Sequence, residues 1–192
     1  MVARRDIYDG LSRAAWGYLF LYLDINLGTV SILPRFVGWL LFLSAIEKLK
    51  AERRDLALLR PLGILLLLWS GADWLASWAG VDVDGHIVPL DLIVTVAQMY
   101  FHFQFLTDCA ALAEPYSYAG IHRRLLRWRT LQTLLLTGMG ILIEAGAWLG
   151  RISGYMLAAS AVVYLIAGLC LMAALFALRK FYQGDPAPDG AP

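Results

Sequence analysis

The chain has 192 residues, of which 60% are hydrophobic and only 16% charged. A water-soluble domain carries roughly 25% charged residues because its surface must face water, so this composition excludes a soluble globular enzyme and a disordered tail protein. The 16 Lys and Arg nearly balance 15 Asp and Glu, which leaves no basic face for nucleic acid, and no nucleic-acid partner is expected. Cys109 and Cys170 lie in apolar runs without framework spacing, so no disulfide scaffold is implied. What remains is an integral membrane protein whose first partner is the lipid bilayer.

A hydrocarbon core about 30 Å thick takes about 20 mostly apolar residues per helix. The first apolar stretch, Ala14 to Ile46, is broken by Asp24, Asn26, Gly28, Pro34 and Arg35. It is too long for one simple span and short for two. Arg4, Arg5 and Arg13 precede it, and Lys48, Lys50, Arg53 and Arg54 follow it. Positive charge beside a span stays in the cytoplasm, so the chain must fold back between the two flanks. The reading is a helix over Leu11 to Asp24, a turn at INLGTVSILP, and a helix over Arg35 to Leu49. Gly relieves backbone sterics in such a turn, and Pro opens the next helix. Both helices are short, so tilted neighbours or a thinned bilayer must accommodate them.

Four longer spans follow. Leu56 to Val81 holds Asp73 in its apolar part, and Ile87 to Leu112 carries Asp91, His102 and Asp108. Thr130 to Leu149 is interrupted only by Glu144, and Ile152 to Leu178 has no charge at all. The expectation is therefore an all-α polytopic bundle: six transmembrane helices in three hairpins, both termini cytoplasmic. It forms one domain over 1–183, with a disordered cytoplasmic tail over 184–192 that is rich in Pro and Gly. In this topology 14 of the 16 basic residues fall inside, and only Arg35 and Arg151 fall outside. MVARRDIYDG shows no cleavable signal pattern. The expected location is a bacterial cytoplasmic membrane.

The first two hairpins share a design: an acid, a turn, then Ile-Leu-Pro (Ile32 to Pro34) in one and Ile-Val-Pro (Ile87 to Pro89) in the other. Internal repeats of this kind are common in transporters, although similar hairpins also reuse similar turn residues. Asn26, Ile32, Leu33, Pro34, Phe36, Val37, Gly38 and Trp39 together resemble an element of a family of small, uncharacterised multi-pass membrane proteins of Gram-positive bacteria. An acid often follows the Pro in that family, where this chain has Arg35. The similarity covers the first quarter of the chain. It implies location and architecture and brings no activity.

Polar groups inside a bilayer are expensive and face the bundle or a wet cavity. In the fourth span Asp91, Thr95, Gln98, His102 and Cys109 fall within about 60° of arc, one polar stripe. In the fifth, Thr130, Thr133, Thr137, Gly140 and Glu144 form a heptad-like seam expected to face other helices. Gly154, Ala158, Ala161 and Gly168 of the sixth form a small-residue stripe suited to close packing. Asp24, Asp73, Asp91 and Glu144 all fall in the outer part of the membrane, below Asp82, Asp84 and His86 of an outer loop, with Arg35 and Arg151 as counter-charges. Carboxylates converging on one wet cavity repel one another, and such a group shares protons or binds a cation. Asp108, near the inner surface, is expected to snorkel or to meet the basic inner loop. The basic stretch His122 to Arg129 reads as an anchor on anionic lipid.

His102 has no second ligand at metal spacing, and no nucleophile motif or phosphate loop is present, so neither metal, cofactor nor catalytic residue is assigned. Two functions fit best. One is a small permease or ion-coupled carrier with an outward-facing carboxylate-lined site, built from Asp73, Asp91, Gln98, His102, Glu144 and Asp24. The other is a non-catalytic membrane subunit or scaffold whose seams mate with another membrane protein or a second copy. An intramembrane enzyme using Asp73 with Asp91 is a third and weaker reading.

Overall fold

The structure is a computed structural model that describes residues 2–23, 26–27, 30–31, 34–78, 88–115, 120–144 and 151–183; the side chains of residues 2, 3, 26, 27, 30, 31, 88, 89, 91, 143, 144, 151 and 153 lie outside that description. Helices carry the fold. In chain order they are α1 (Val2–Tyr22), α2 (Arg35–Leu49), the single turn α3 (Asp55–Leu58), α4 (Arg60–Trp78), α5 (Val88–Leu112), α6 (Ile121–Glu144) and α7 (Arg151–Lys180). Two of these segments are long and apolar enough to cross a membrane: Asp55–Trp78, which takes in α3 and α4, and Gly154–Lys180 of α7.

The fold-back expected after the first helix is present. Strands β1 (Asn26–Leu27) and β2 (Val30–Ser31) pair antiparallel, Asn26 opposite Ser31 and Leu27 opposite Val30. Pro34 then caps α2 in an extended conformation (φ −69°, ψ 126°), and its carbonyl accepts from Val37 N–H at 3.0 Å. Proline suits that place because its missing N–H is one the helix leaves unpaired anyway. The two helices cross at glycines: a methyl on Gly38 would lie 3.0 Å from the Gly17 carbonyl oxygen, and one on Gly17 would lie 3.1 Å from that of Gly38. A methyl at either place would press on the facing backbone, so glycine favours this close approach.

Three boundaries differ from the sequence reading. Helix α1 begins at Val2 rather than Leu11, α6 begins at Ile121 rather than Thr130, and α1 ends at Tyr22 rather than Asp24. Arg, Asp and their neighbours end an apolar run without ending a helix, because arginine is a strong helix former. The basic stretch His122 to Arg129 is therefore the opening of α6 rather than a loop. Asp24, the rest of the turn between the strands, the outer loop with Asp82, Asp84 and His86, and the tail over 184–192 lie outside the described residues.

Neighbour by neighbour the helices close a circuit. Helix α1 packs on α2 and α7, α2 on α4, α4 on α5, α5 on α6, and α6 on α7. The core occupies the half of this circuit that carries the basic residues. Leu11, Ala14 and Tyr18 of α1 meet Trp39, Phe42, Ile46 and Leu49 of α2, Phe101 and Phe105 of α5, and Leu171, Leu175 and Leu178 of α7, every one at most 1% exposed. Each set recurs at three- and four-residue steps, which is one face of a helix. Polar ties close the same end. Lys48 of α2 bonds Asp6 of α1 at 2.5 Å, Arg179 of α7 donates to Ser12 of α1 at 2.9 Å, and the Tyr182 hydroxyl donates to the Leu112 carbonyl at 2.8 Å. His122 Nδ1 donates to the Ala110 carbonyl at 2.8 Å, holding α6 against α5.

The opposite half is open. Leu75 and Trp78 of α4, Leu92 and Val96 of α5, Leu134 and Ile141 of α6, and Tyr155 and Val162 of α7 are each more than half exposed.

Candidate functional site

His102 stands where the circuit is tightest. It projects from α5 into a box of rings, with centroids 5.3 Å from Tyr18, 5.6 Å from Trp39, 5.8 Å from Phe42 and 5.7 Å from Phe101. Its Nδ1 lies 3.3 Å from the Tyr18 hydroxyl, and the side chain is 5% exposed. A buried imidazole needs such a partner, since an unmade hydrogen bond there costs about 1–3 kcal/mol. Trp39 meets Phe101 edge to face at 5.1 Å, and Phe42 meets Tyr18 and Phe105 the same way at 4.8 and 5.1 Å. Edge-to-face pairs add roughly 0.5–1.5 kcal/mol each beyond area burial. The rings fill the centre of the bundle at this depth.

Of the other residues of the expected site, the structure describes the side chains of Gln98 and Asp73. Gln98, one turn from His102 on α5, is half-buried. Asp73 is half-buried on α4 and engaged by a neighbour of its own. Asp91 belongs to α5 and Glu144 closes α6, but their side chains, like the whole of Asp24, lie outside the described residues. The polar stripe of α5 divides along its length: His102 and Cys109 are buried, whereas Thr95 is exposed. Asp108 does not snorkel. It is 5% exposed, with Gln104 Nε2 at 3.3 Å from both carboxylate oxygens, and Arg53 and Asp55 of the loop between α2 and α4 act on it electrostatically.

The threonine seam of α6 turns away from the other helices. Thr130 and Thr137 are exposed, and the hydroxyls of Thr130, Thr133 and Thr137 donate to carbonyls four residues back on their own helix, at 3.0, 3.0 and 2.9 Å. A methyl on Gly140 would find no atom within 4 Å. The buried side of α6 is instead Ile121, Leu125 and Gln132. On α7, Gly154, Ala158 and Ala161 are exposed, and of that stripe Gly168 alone is buried.

A second polar group escaped the sequence reading. The Tyr22 ring lies over Gly168, where a methyl would come within 2.4 Å of it, and its centroid is 4.6 Å from that of Tyr164, tilted by 39°, one turn earlier on α7. Tyr164 has Tyr22, Gln132 and Arg35 as polar neighbours. Gln132 is 2% exposed; its amide and the Tyr22 hydroxyl both have the Tyr164 hydroxyl close by, but neither reaches full hydrogen-bond geometry among the described residues. A lone amide in an apolar run is the signal that marks such a position, since polar groups in a bilayer turn inward.

Among the described residues no group of three or more His, Cys, Asp or Glu is placed to hold a metal ion. Compared with protein families, curated proteins and solved structures, the chain matches none.

Proposed function

We propose that this chain is a multi-pass protein of a bacterial cytoplasmic membrane and serves as a non-catalytic membrane subunit that mates with another membrane protein or a second copy. Its six long helices cross as three hairpins with the basic end in the cytoplasm. The sorting of 14 of 16 basic residues to one end supports that orientation, and so do the two segments with the length and hydropathy of spans. The resemblance of the Asn26-to-Trp39 element to small membrane proteins of Gram-positive bacteria agrees with it. At about 1.5 Å per residue the 15 residues of α2 reach only about 22 Å, so the bilayer thins around it or α2 lies deep among longer neighbours.

One observation carries the subunit reading. On the small and hydroxyl faces of α6 and α7, Thr137, Gly154, Ala158 and Ala161 are exposed, and a methyl on Gly140 or Gly154 would meet no atom within 4 Å among the described residues. In lipid, small residues let helix backbones approach closely, and that approach is a main source of helix association. A central path, by contrast, is filled by the rings around His102. The test is cysteine cross-linking in native membranes, with Gly140→Cys and Ala158→Cys in a background lacking Cys109 and Cys170. Discrete cross-linked products at both positions are expected. A protein that stays monomeric in these membranes and purifies as a monodisperse monomer would sink the reading.

The buried amide of Gln132 and the Tyr22 hydroxyl favour a second reading, the small permease or ion-coupled carrier. Together with Tyr164 they form a buried polar group between α1, α6 and α7 that offers a polar solute a foothold below an outer site of Asp24, Asp73, Asp91, Gln98, His102 and Glu144. Under that reading Asp73→Asn or Glu144→Gln leaves insertion intact and abolishes solute flux in liposomes. Flux at the wild-type rate in both variants refutes it.

A further inference from the structure

We infer that the groove between α1, α2 and α4 at the basic end binds the phosphate headgroup of an anionic glycerophospholipid. The groove encloses about 250 Å³ and takes Arg13 from α1, Ser44 and Lys48 from α2, and Arg60 from α4. That is slightly below the roughly 300 Å³ at which pockets admit drug-sized ligands, a scale suited to a headgroup. Glu47 on its rim is held by Lys50 and by Arg60, the latter at 3.1 Å, and Lys48 is held by Asp6 at 2.5 Å. Arg13 donates to the neutral Ser44 hydroxyl. The groove's three cations (Arg13, Lys48, Arg60) against Glu47 on its rim and Asp6 beside Lys48 leave one positive charge for an anion, with Arg13 paired only to the neutral hydroxyl.

What distinguishes a lipid from a free phosphate is the floor. Leu43 and Ile64 line it. One turn deeper on the same faces, Leu40 of α2 is 47% exposed and Leu68 of α4 is 66% exposed. The surface therefore runs from guanidinium to bare leucine in the direction an acyl chain takes from its headgroup. Basic pockets between helices on the cytoplasmic side are the usual place for anionic headgroups. The basic opening of α6 belongs to a helix that packs on α5 and α7, not on the three helices of the groove.

This site rests on the membrane placement proposed above, and the experiment separates the two. The full chain is reconstituted in nanodiscs, and retained lipid is counted by mass spectrometry in mixtures of phosphatidylglycerol and phosphatidylcholine. Each cation near a membrane surface contributes about a fivefold preference, so wild type should retain phosphatidylglycerol at least about fivefold over phosphatidylcholine. Arg13→Gln with Arg60→Gln should bring that ratio close to one, and Arg13→Lys with Arg60→Lys should restore most of it. Ile64→Trp, which fills the floor without touching a charge in a lipid-facing position, should also lower it. Arg123→Gln with Arg124→Gln should leave it unchanged. The site is overturned if the Gln pair keeps the wild-type ratio, if the α6 pair lowers it equally, or if inorganic phosphate competes as well as the lipid. Each of those outcomes leaves the placement standing, whereas a chain that does not enter the bilayer overturns both.

Discussion

Gly168→Ala tests the packing of α1 against α7 most directly. A methyl at this position would lie 2.4 Å from Cγ and Cδ1 of Tyr22 and 2.7 Å from Cδ2, whereas carbon atoms rest at about 3.5–4.0 Å. The ring must therefore retreat by more than an ångström. It has little room, because the tilted Tyr164 ring lies 4.6 Å away and Tyr18 lies 5.9 Å away on its own helix. The contact is also with the base of the ring, so rotating its far end gives no relief. Overpacking of this kind costs about 1–3 kcal/mol, and the rigid ring places it near the top of that range. Replacing a helical glycine by alanine returns about 0.5–1 kcal/mol, which leaves a net loss of about 2 kcal/mol. Gly154→Ala on the same helix is the control, since nothing lies within 4 Å of a methyl there, and it should be neutral or stabilising by up to about 1 kcal/mol. Denaturant unfolding in mixed micelles, followed by tryptophan fluorescence, measures both. In the double variant with Tyr22→Ala, the penalty of the alanine at 168 should disappear. A Gly168→Ala protein as stable as wild type, or penalties that simply add in the double variant, would refute the reasoning.

Gln132→Leu removes a buried amide that falls short of full hydrogen-bond geometry with its polar neighbour Tyr164, so it should stabilise the protein by about 1–3 kcal/mol in the same unfolding assay; destabilisation would show that the amide is satisfied by Tyr164. Tyr18→Phe strips the partner from His102 Nδ1 and should cost about 1–3 kcal/mol, while adding His102→Phe should recover most of that loss, because removing both members of a buried pair is nearly neutral. Strict additivity of the two changes would contradict the pairing. Asp6→Asn should cost less than about 1 kcal/mol and lose that small effect in high salt, since the Lys48–Asp6 pair is about one-third exposed on each side.

Some of this architecture is legible in the sequence and some is not, for reasons that particular residues make plain. The turn before α2 can be read because Gly28, Pro34 and the flanking basic residues each constrain the chain locally. The starts of α1 and α6 cannot be read from hydropathy, because charge marks where water begins and not where hydrogen-bonded turns end. Arg4 and Arg5 continue α1 outward in the same way that Arg123 to Arg129 precede the apolar part of α6. The stripe on α5 includes His102, which the structure buries. What faces it does not follow, because Tyr18, Trp39 and Phe42 arrive from helices far away in the chain. Gln132 sits beside Thr133, yet about 100° around the helix. That angle separates a buried amide from a hydroxyl bonded to its own backbone.

Periodicity states which residues share a face, but not whether anything covers it. On α7, Gly154 and Gly168 are about 40° apart around the axis and about 21 Å apart along it. One lies open, and the other is pressed against Tyr22. The same division runs along α5 from exposed Thr95 to buried His102, and α6 leaves Gly140 open while burying Leu125. All three helices are covered toward the basic end and bare toward the other. For apolar side chains such as Leu134 and Val162, lipid is an adequate neighbour. For glycine and alanine it is a poor one: with so little side chain, they gain dispersion energy only when another backbone comes close. Among the described residues, the open half of α6 and α7 thus carries small residues that no other helix covers. That imbalance, more than any single acid, is the physical basis on which a second helix is proposed to complete the protein.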